Sequence, residues 1–213
     1  MVAIAPKIQP IPSIVEEKTS CGESSDVPEQ RITYDDRTWE QFKLLEQSLE
    51  GLMGLRLFYF DGQVEILMPG KLHEVFKKII AVLIEAFLFD RDIEFEALGS
   101  MTRKAEGLAS GEPDESYQIG EFTLVLEVIF TRSSLNKLAL YKVLGIHEVW
   151  FCEDGVLKIS HLRGETYEEA SHSQIPELMA IDIQALSKCI LIGETSFLKA
   201  RKEFLAAHPK PWN

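Results

Sequence analysis

Residues 122–130, FTLVLEVIF, are apolar at nearly every position, and the only charge among them is Glu127. A run of this kind predicts a central strand covered on both faces. A carboxylate buried there without a partner would carry a heavy desolvation cost. A helical pattern over 134–144 follows at once, with Gly145 as its stop. Lys137, Leu140, Tyr141 and Leu144 share one side of that helix, while Lys142 points the opposite way. A lysine on the core side must snorkel out or meet a carboxylate, and Glu127 on the preceding strand is the obvious one.

The rest of the pattern supplies the surroundings. Trp39, Phe42, Leu45 and Leu49 predict a helix over 39–49, with Thr38 as its N-cap. Strands over 55–60 and 63–68 are joined by Asp61-Gly62, the dipeptide suited to a type I′ hairpin turn. After Pro69-Gly70 comes a helix over 72–89, with Leu72, Val75, Phe76, Ile79, Leu83 and Phe87 inward and Glu74, Lys78 and Glu85 outward. A short strand over 93–98 leads into a long loop, 99–111, and then a strand over 114–119. Residues 148–152 and 156–161 form a second hairpin about Asp154-Gly155, followed by an edge strand over 166–170. Helices over 183–188 and 196–207, the last capped by Thr195, complete the chain. These elements define an α/β (α+β) domain over 31–208, a central mixed sheet flanked by helices with added hairpins. Residues 1–30, Pro-rich and then acidic, read as a flexible N-terminal arm, and 209–213 as a tail.

Composition narrows the function. The chain has 213 residues, 46% hydrophobic and 26% charged, which suits one good-sized domain. Its net charge of −12 argues against a broad basic surface for nucleic acid but leaves room for a local basic cleft. Cys21, Cys152 and Cys189 are odd in number and lack a CxxC pair, so reduced thiols are expected. Residues 1–14 are broken by Pro6, Pro10 and Pro12, and the longest apolar stretch, 79–89, is too short to cross a bilayer. A cytoplasmic protein without membrane association is expected.

The candidate chemistry is acidic. Asp114, after Pro113, opens the strand that precedes Glu127. Two carboxylates on adjacent strands can hold one Mg²⁺, which takes hard oxygen ligands and keeps waters for a substrate phosphate. Lys137 beside them would orient a nucleophile or neutralise developing charge. A structural ion pair between Glu127 and Lys137 is the competing reading. Glu65 and His73 are secondary candidates: Glu65 suits a half-exposed strand position or an additional metal ligand, and His73 a surface or packing position or one that reaches a phosphate or a water. Glu115 should face the other way along its strand. His147, His161, His172 and His208 lack zinc-ligand spacing. Walker, Rossmann and GxSxG motifs are absent.

The segments DGQVEILMPG followed by His73, PDESYQIG, and LVLEVIFTRSSLNKLALYKVLGIHEVWFCEDGVL together resemble the bacterial Uma-two family. That family is a group of restriction-endonuclease-like proteins long catalogued as a domain of unknown function. The resemblance spans roughly residues 31–191 and is strongest over 113–157. It implies the PD-(D/E)xK nuclease core, with Asp114 and Glu127 as the metal-binding acids. The lysine of that motif would fall at position 129, which is Ile129; the resemblance assigns its role to Lys137. Residues 130–133 are shorter than the family's usual loop and differ from it. The implied activity is a Mg²⁺- or Mn²⁺-dependent endonuclease hydrolysing nucleic-acid phosphodiesters, with DNA as the expected partner and a homodimer compatible with the edge hairpins. The alternative is a catalytically silent nuclease fold, serving as a dimeric binding or regulatory protein or as a mobile-element accessory.

Overall fold

The computed structural model describes residues 28–210. Two sheets and five α-helices build it. One sheet contains β1 (Gln30–Tyr34), β2 (Arg56–Phe60), β3 (Gln63–Met68), β5 (Arg103–Ala105) and β6 (Ala109–Gly111), in the order β1-β3-β2-β6-β5. All its pairings are antiparallel. The other contains β4 (Glu96–Ala97), β7 (Glu115–Ile119), β8 (Phe122–Ile129), β9 (Glu148–Glu153), β10 (Val156–Arg163) and β11 (Thr166–Ala170), in the order β11-β10-β9-β8-β7-β4. Only β8 and β9 pair in parallel, so this second sheet is the mixed one. The crossover that a parallel pair requires holds α3 (Lys137–Val143).

Strand β8 is interior, and its alternate residues feed two cores. Leu124, Leu126 and Val128 pack with Ile79 and Leu83 of α2 (Lys71–Asp90), Ile190 of α4 (Ile183–Gly193) and Phe204 of α5 (Phe197–Ala207). Val125, on the opposite face, packs with Leu140 and Tyr141 of α3 and with Phe58 and Leu67 of the first sheet. The two sheets therefore meet across the Glu127 side of β8. Helix α3 is held close to β6 because Gly111 lacks a side chain: a Cβ there would lie 2.9 Å from Leu140 Cδ2. A third cluster seats α1 (Trp39–Ser48) on β2 and β3 through Trp39, Phe42, Tyr59 and Val64.

Both Asp-Gly hairpin turns form as expected, with positive φ at Asp61, Gly62, Asp154 and Gly155. Thr38 caps α1, with Gln41 completing a capping box. Other expectations need correction. The presumed loop 99–111 contains the β5–β6 hairpin. The strand over 93–98 shrinks to Glu96–Ala97. Helix α3 begins three residues later than its pattern suggested, because the Asn136 side chain caps it by accepting from the Ala139 N–H. Ser196, not Thr195, caps α5. Leu72 is about half exposed, and Glu85 is partly buried, accepting from the Tyr117 hydroxyl. Of the expected arm 1–30, residues 1–27 lie outside the described residues, and Pro28 to Gln30 already belong to the fold, since Gln30 pairs with Met68. Cys152 and Cys189 are free and buried, and Cys21 lies outside the described residues. Among the described residues, no helix is long and apolar enough to cross a membrane.

Candidate active site

Strands β7 and β8 pair Glu115 with Leu126. Asp114 immediately precedes β7 and is tied through its side chain to β8 at Val128, next to Glu127, and both acids are buried. Asp114 is fixed by its neighbours: the Val128 N–H donates to Oδ2 at 2.6 Å, and His73 Nε2 lies 2.8 Å from Oδ1. The Arg56 guanidinium pairs with the same Oδ1 and reaches Glu74 at 2.7 Å. Glu127 Oε1 accepts from the Tyr141 hydroxyl, one helical turn after Lys137 on the same side of α3.

Lys137 Nζ lies 3.5 Å from Glu127 Oε1 and 3.5 Å from Glu65 Oε1, over the ring of Phe58. It makes these ion pairs without a hydrogen bond of normal geometry, although the side chain is only 9% exposed. Burial lowers its pKa, and Glu127 and Glu65 oppose that shift. Burial likewise raises the Tyr141 hydroxyl well above its ordinary value, with the Glu127 charge adding to the effect. Glu65 is fully buried, held by Arg31 and by the Ser133 hydroxyl at 2.5 Å. Register explains the contact with Arg31: Arg31 pairs with Leu67 and Thr33 with Glu65, so the two charges are diagonal neighbours on one face.

The half-exposed reading of Glu65 and the surface reading of His73 are thus overturned, because both are buried among the charges between the sheets. The structure unites Asp114, Glu127, Lys137, Glu65 and His73 in one continuous network. It adds Arg31, Arg56 and Tyr141, which the sequence did not single out. Arg56 carried a signal of the kind Glu127 gave, a lone charge alternating with Phe58 and Phe60 on one face of a strand. Tyr141 lay on the recognised helix stripe and read as core. Glu29 also joins, through His73, Thr131 and Arg31. Glu115 stays outside this network and is partly buried.

Among the described residues, no group of three or more His, Cys, Asp or Glu side chains is arranged to hold a metal. An ion here would rest on Asp114 and Glu127 with water completing its shell, which suits Mg²⁺ better than zinc. The donor set fits a hard cation in kind: two buried carboxylates, one just before β7 and one in β8. Arg56 and Lys137 now neutralise those same oxygens, so loading would require the guanidinium to leave Asp114 Oδ1. A larger cleft, about 1020 Å³, lies elsewhere, between α1 and the β5–β6 hairpin. Five glutamates and two lysines line it, a balance unsuited to a polyanion.

The fold is that of a nuclease-like α/β protein. A crystal structure described as "a putative nuclease belonging to DUF820", from Anabaena variabilis, matches with a TM-score of 0.50 and 14% identity, covering 72% of this chain and 98% of that one. A family model for Uma2, described as "Putative restriction endonuclease", matches residues 39–186, and the chain belongs to that family. None of the curated proteins compared with the chain matches it.

Proposed function

We propose that the protein is a divalent-metal-dependent endonuclease that hydrolyses phosphodiester bonds in nucleic acid, with DNA as the first substrate to test. The observation that carries this reading is the buried Asp114 carboxylate held at 2.6 Å by the N–H of Val128, the residue after Glu127, with the Lys137 ammonium 3.5 Å from Glu127. Asp114 and Glu127 would hold the ion, Mg²⁺ or Mn²⁺, which supplies a more acidic bound water and charge neutralisation at the scissile phosphate. Lys137, poor in hydrogen-bond partners, has N–H groups free to hold the attacking water and to offset negative charge as it develops. Tyr141 keeps the Glu127 carboxylate oriented. Family membership supports a nuclease.

The test is nicking of supercoiled plasmid with Mg²⁺ or Mn²⁺ by wild type, Asp114→Ala, Glu127→Ala and Lys137→Met, each checked for folding by circular dichroism. Each substitution is expected to lower the rate by about a hundredfold or more. Equal activity in all four would place cleavage elsewhere and overturn the assignment. A second reading is favoured by the cations already on these oxygens: a silent nuclease fold that binds without cutting. Wild type that retards DNA but leaves plasmid intact with either ion would select it.

A further inference from the structure

Beside the acid pair lies a smaller cleft, about 340 Å³, lined by Glu29, Gly70, Leu72, His73, Phe130 and Thr131, with Pro28 at its rim. One carboxylate, that of Glu29, fills its polar end. The Thr131 N–H donates to Glu29 Oε1 at 2.9 Å, and the Thr131 hydroxyl donates to the same oxygen. Arg31 Nη2 reaches Oε1 at 3.4 Å while its Nε donates to the Thr131 hydroxyl at 3.1 Å. His73 Nδ1 meets Oε2, and since a carboxylate only accepts, that nitrogen carries the hydrogen. Four donor groups from β1, α2 and the segment after β8 therefore converge on a single anion.

Two further features suit a phosphate. Gly70 caps the twenty-residue helix α2 and lines the cleft, so the positive dipole end of that helix lies beside it. Leu72 and Phe130 leave apolar surface exposed at the cleft walls, against which a sugar or base can pack. His73 links this cradle to the acid pair, with Nδ1 on Glu29 and Nε2 at 2.8 Å from Asp114.

We propose that this cradle binds a phosphate of the nucleic-acid strand next to the one at Asp114 and Glu127, and that Glu29 is an internal stand-in which the strand must displace. The proposal rests on the nuclease reading for its substrate. It makes Glu29 an inhibitory contact: the free cradle would accept a phosphate oxygen through the same donors.

The test uses the full chain and does not depend on turnover. Inorganic phosphate and a short 5′-phosphorylated oligodeoxynucleotide are titrated calorimetrically into wild type, Glu29→Ala, Glu29→Gln and Glu29→Ala/Thr131→Val. Both probes are expected to bind Glu29→Ala at least about tenfold more tightly than wild type, with a gain of at least severalfold for Glu29→Gln. Adding Thr131→Val should remove most of the gain. Glu29→Gln keeps the shape of the side chain and decides the matter if Glu29→Ala does not fold. No gain in any folded Glu29 variant overturns the proposal, and a gain for inorganic phosphate alone overturns its nucleic-acid half. Plasmid nicking by the same variants separates the two readings: tighter binding without nicking in any variant leaves the cradle and sinks the nuclease, whereas nicking without tighter binding sinks the cradle.

Discussion

Glu29 shows how much one residue's environment can change its chemistry. Burial pushes its carboxyl up, but hydrogen bonds from His73 and Thr131 outweigh that and hold it down at about 2, against an ordinary 4.5. A depressed carboxyl stabilises the fold above its unfolded value, and that contribution is lost as pH falls from about 4.5 through about 2. Wild type is therefore expected to lose more stability over this window than Glu29→Gln does, as read from urea midpoints measured across it. Equal losses in the two proteins would mean that other carboxylates govern acid unfolding. Glu127 and Lys137 were legible at this scale because a lone charge in an apolar pattern needs a partner. Glu29 was not, since it stands among polar neighbours whose pattern gives no hint of burial.

At the scale of elements, α3 decides where the lysine stands. Its start is set by the Asn136 side chain on the Ala139 N–H. Its end is a Schellman turn, in which the Ile146 N–H reaches Tyr141 O and the Gly145 N–H reaches Lys142 O. The Gly145 stop was readable, because positive φ there selects glycine. The start was not, because Ser133, Ser134 and Asn136 are all good caps and the sequence does not choose among them. Ser133 is instead engaged with Glu65. Replacing Asn136 with Ala is expected to cost about 1 kcal/mol in urea unfolding. A loss indistinguishable from zero would show that packing against β6, not the cap, fixes the helix.

For the whole molecule, the antiparallel sheet is the feature that turns separate charges into a site. It brings Arg31, Arg56 and Glu65 over the Glu127 face of β8, concentrating cations locally in a chain whose net charge is −12. Elsewhere another buried acid, Glu148, serves structure alone. Glu148 accepts from Trp150 at 2.6 Å, from Ser173 at 2.7 Å and from the Gln174 N–H at 2.8 Å, and it pairs with His161 at 3.2 Å. Its lone pairs are thereby satisfied, and it ties residues 173–175 to β9 and β10 without offering a site. Glu148→Ala would leave those donors buried and unpaired, and is expected to destabilise the protein by about 3 kcal/mol or more. Chemical denaturation that finds less than about 1 kcal/mol would mean that water replaces the carboxylate there.

What the sequence determined by itself is what local physics dictates: the Asp-Gly hairpins, the capped α1, the long α2, the buried β8 and the pairing of Glu127 with a lysine on the next helix. Periodicity and positive-φ turns act over a few residues, so they can be read from a few residues. Only the tertiary structure decided the pairing of β1 with β3, the β5–β6 hairpin, the burial of Glu65 and His73, and the convergence of Thr131, Arg31 and His73 on Glu29. Those depend on contacts between residues as far apart as Glu29 and Thr131, whose meeting is set by how the two sheets close on each other. The patterns of the individual segments do not encode that closure.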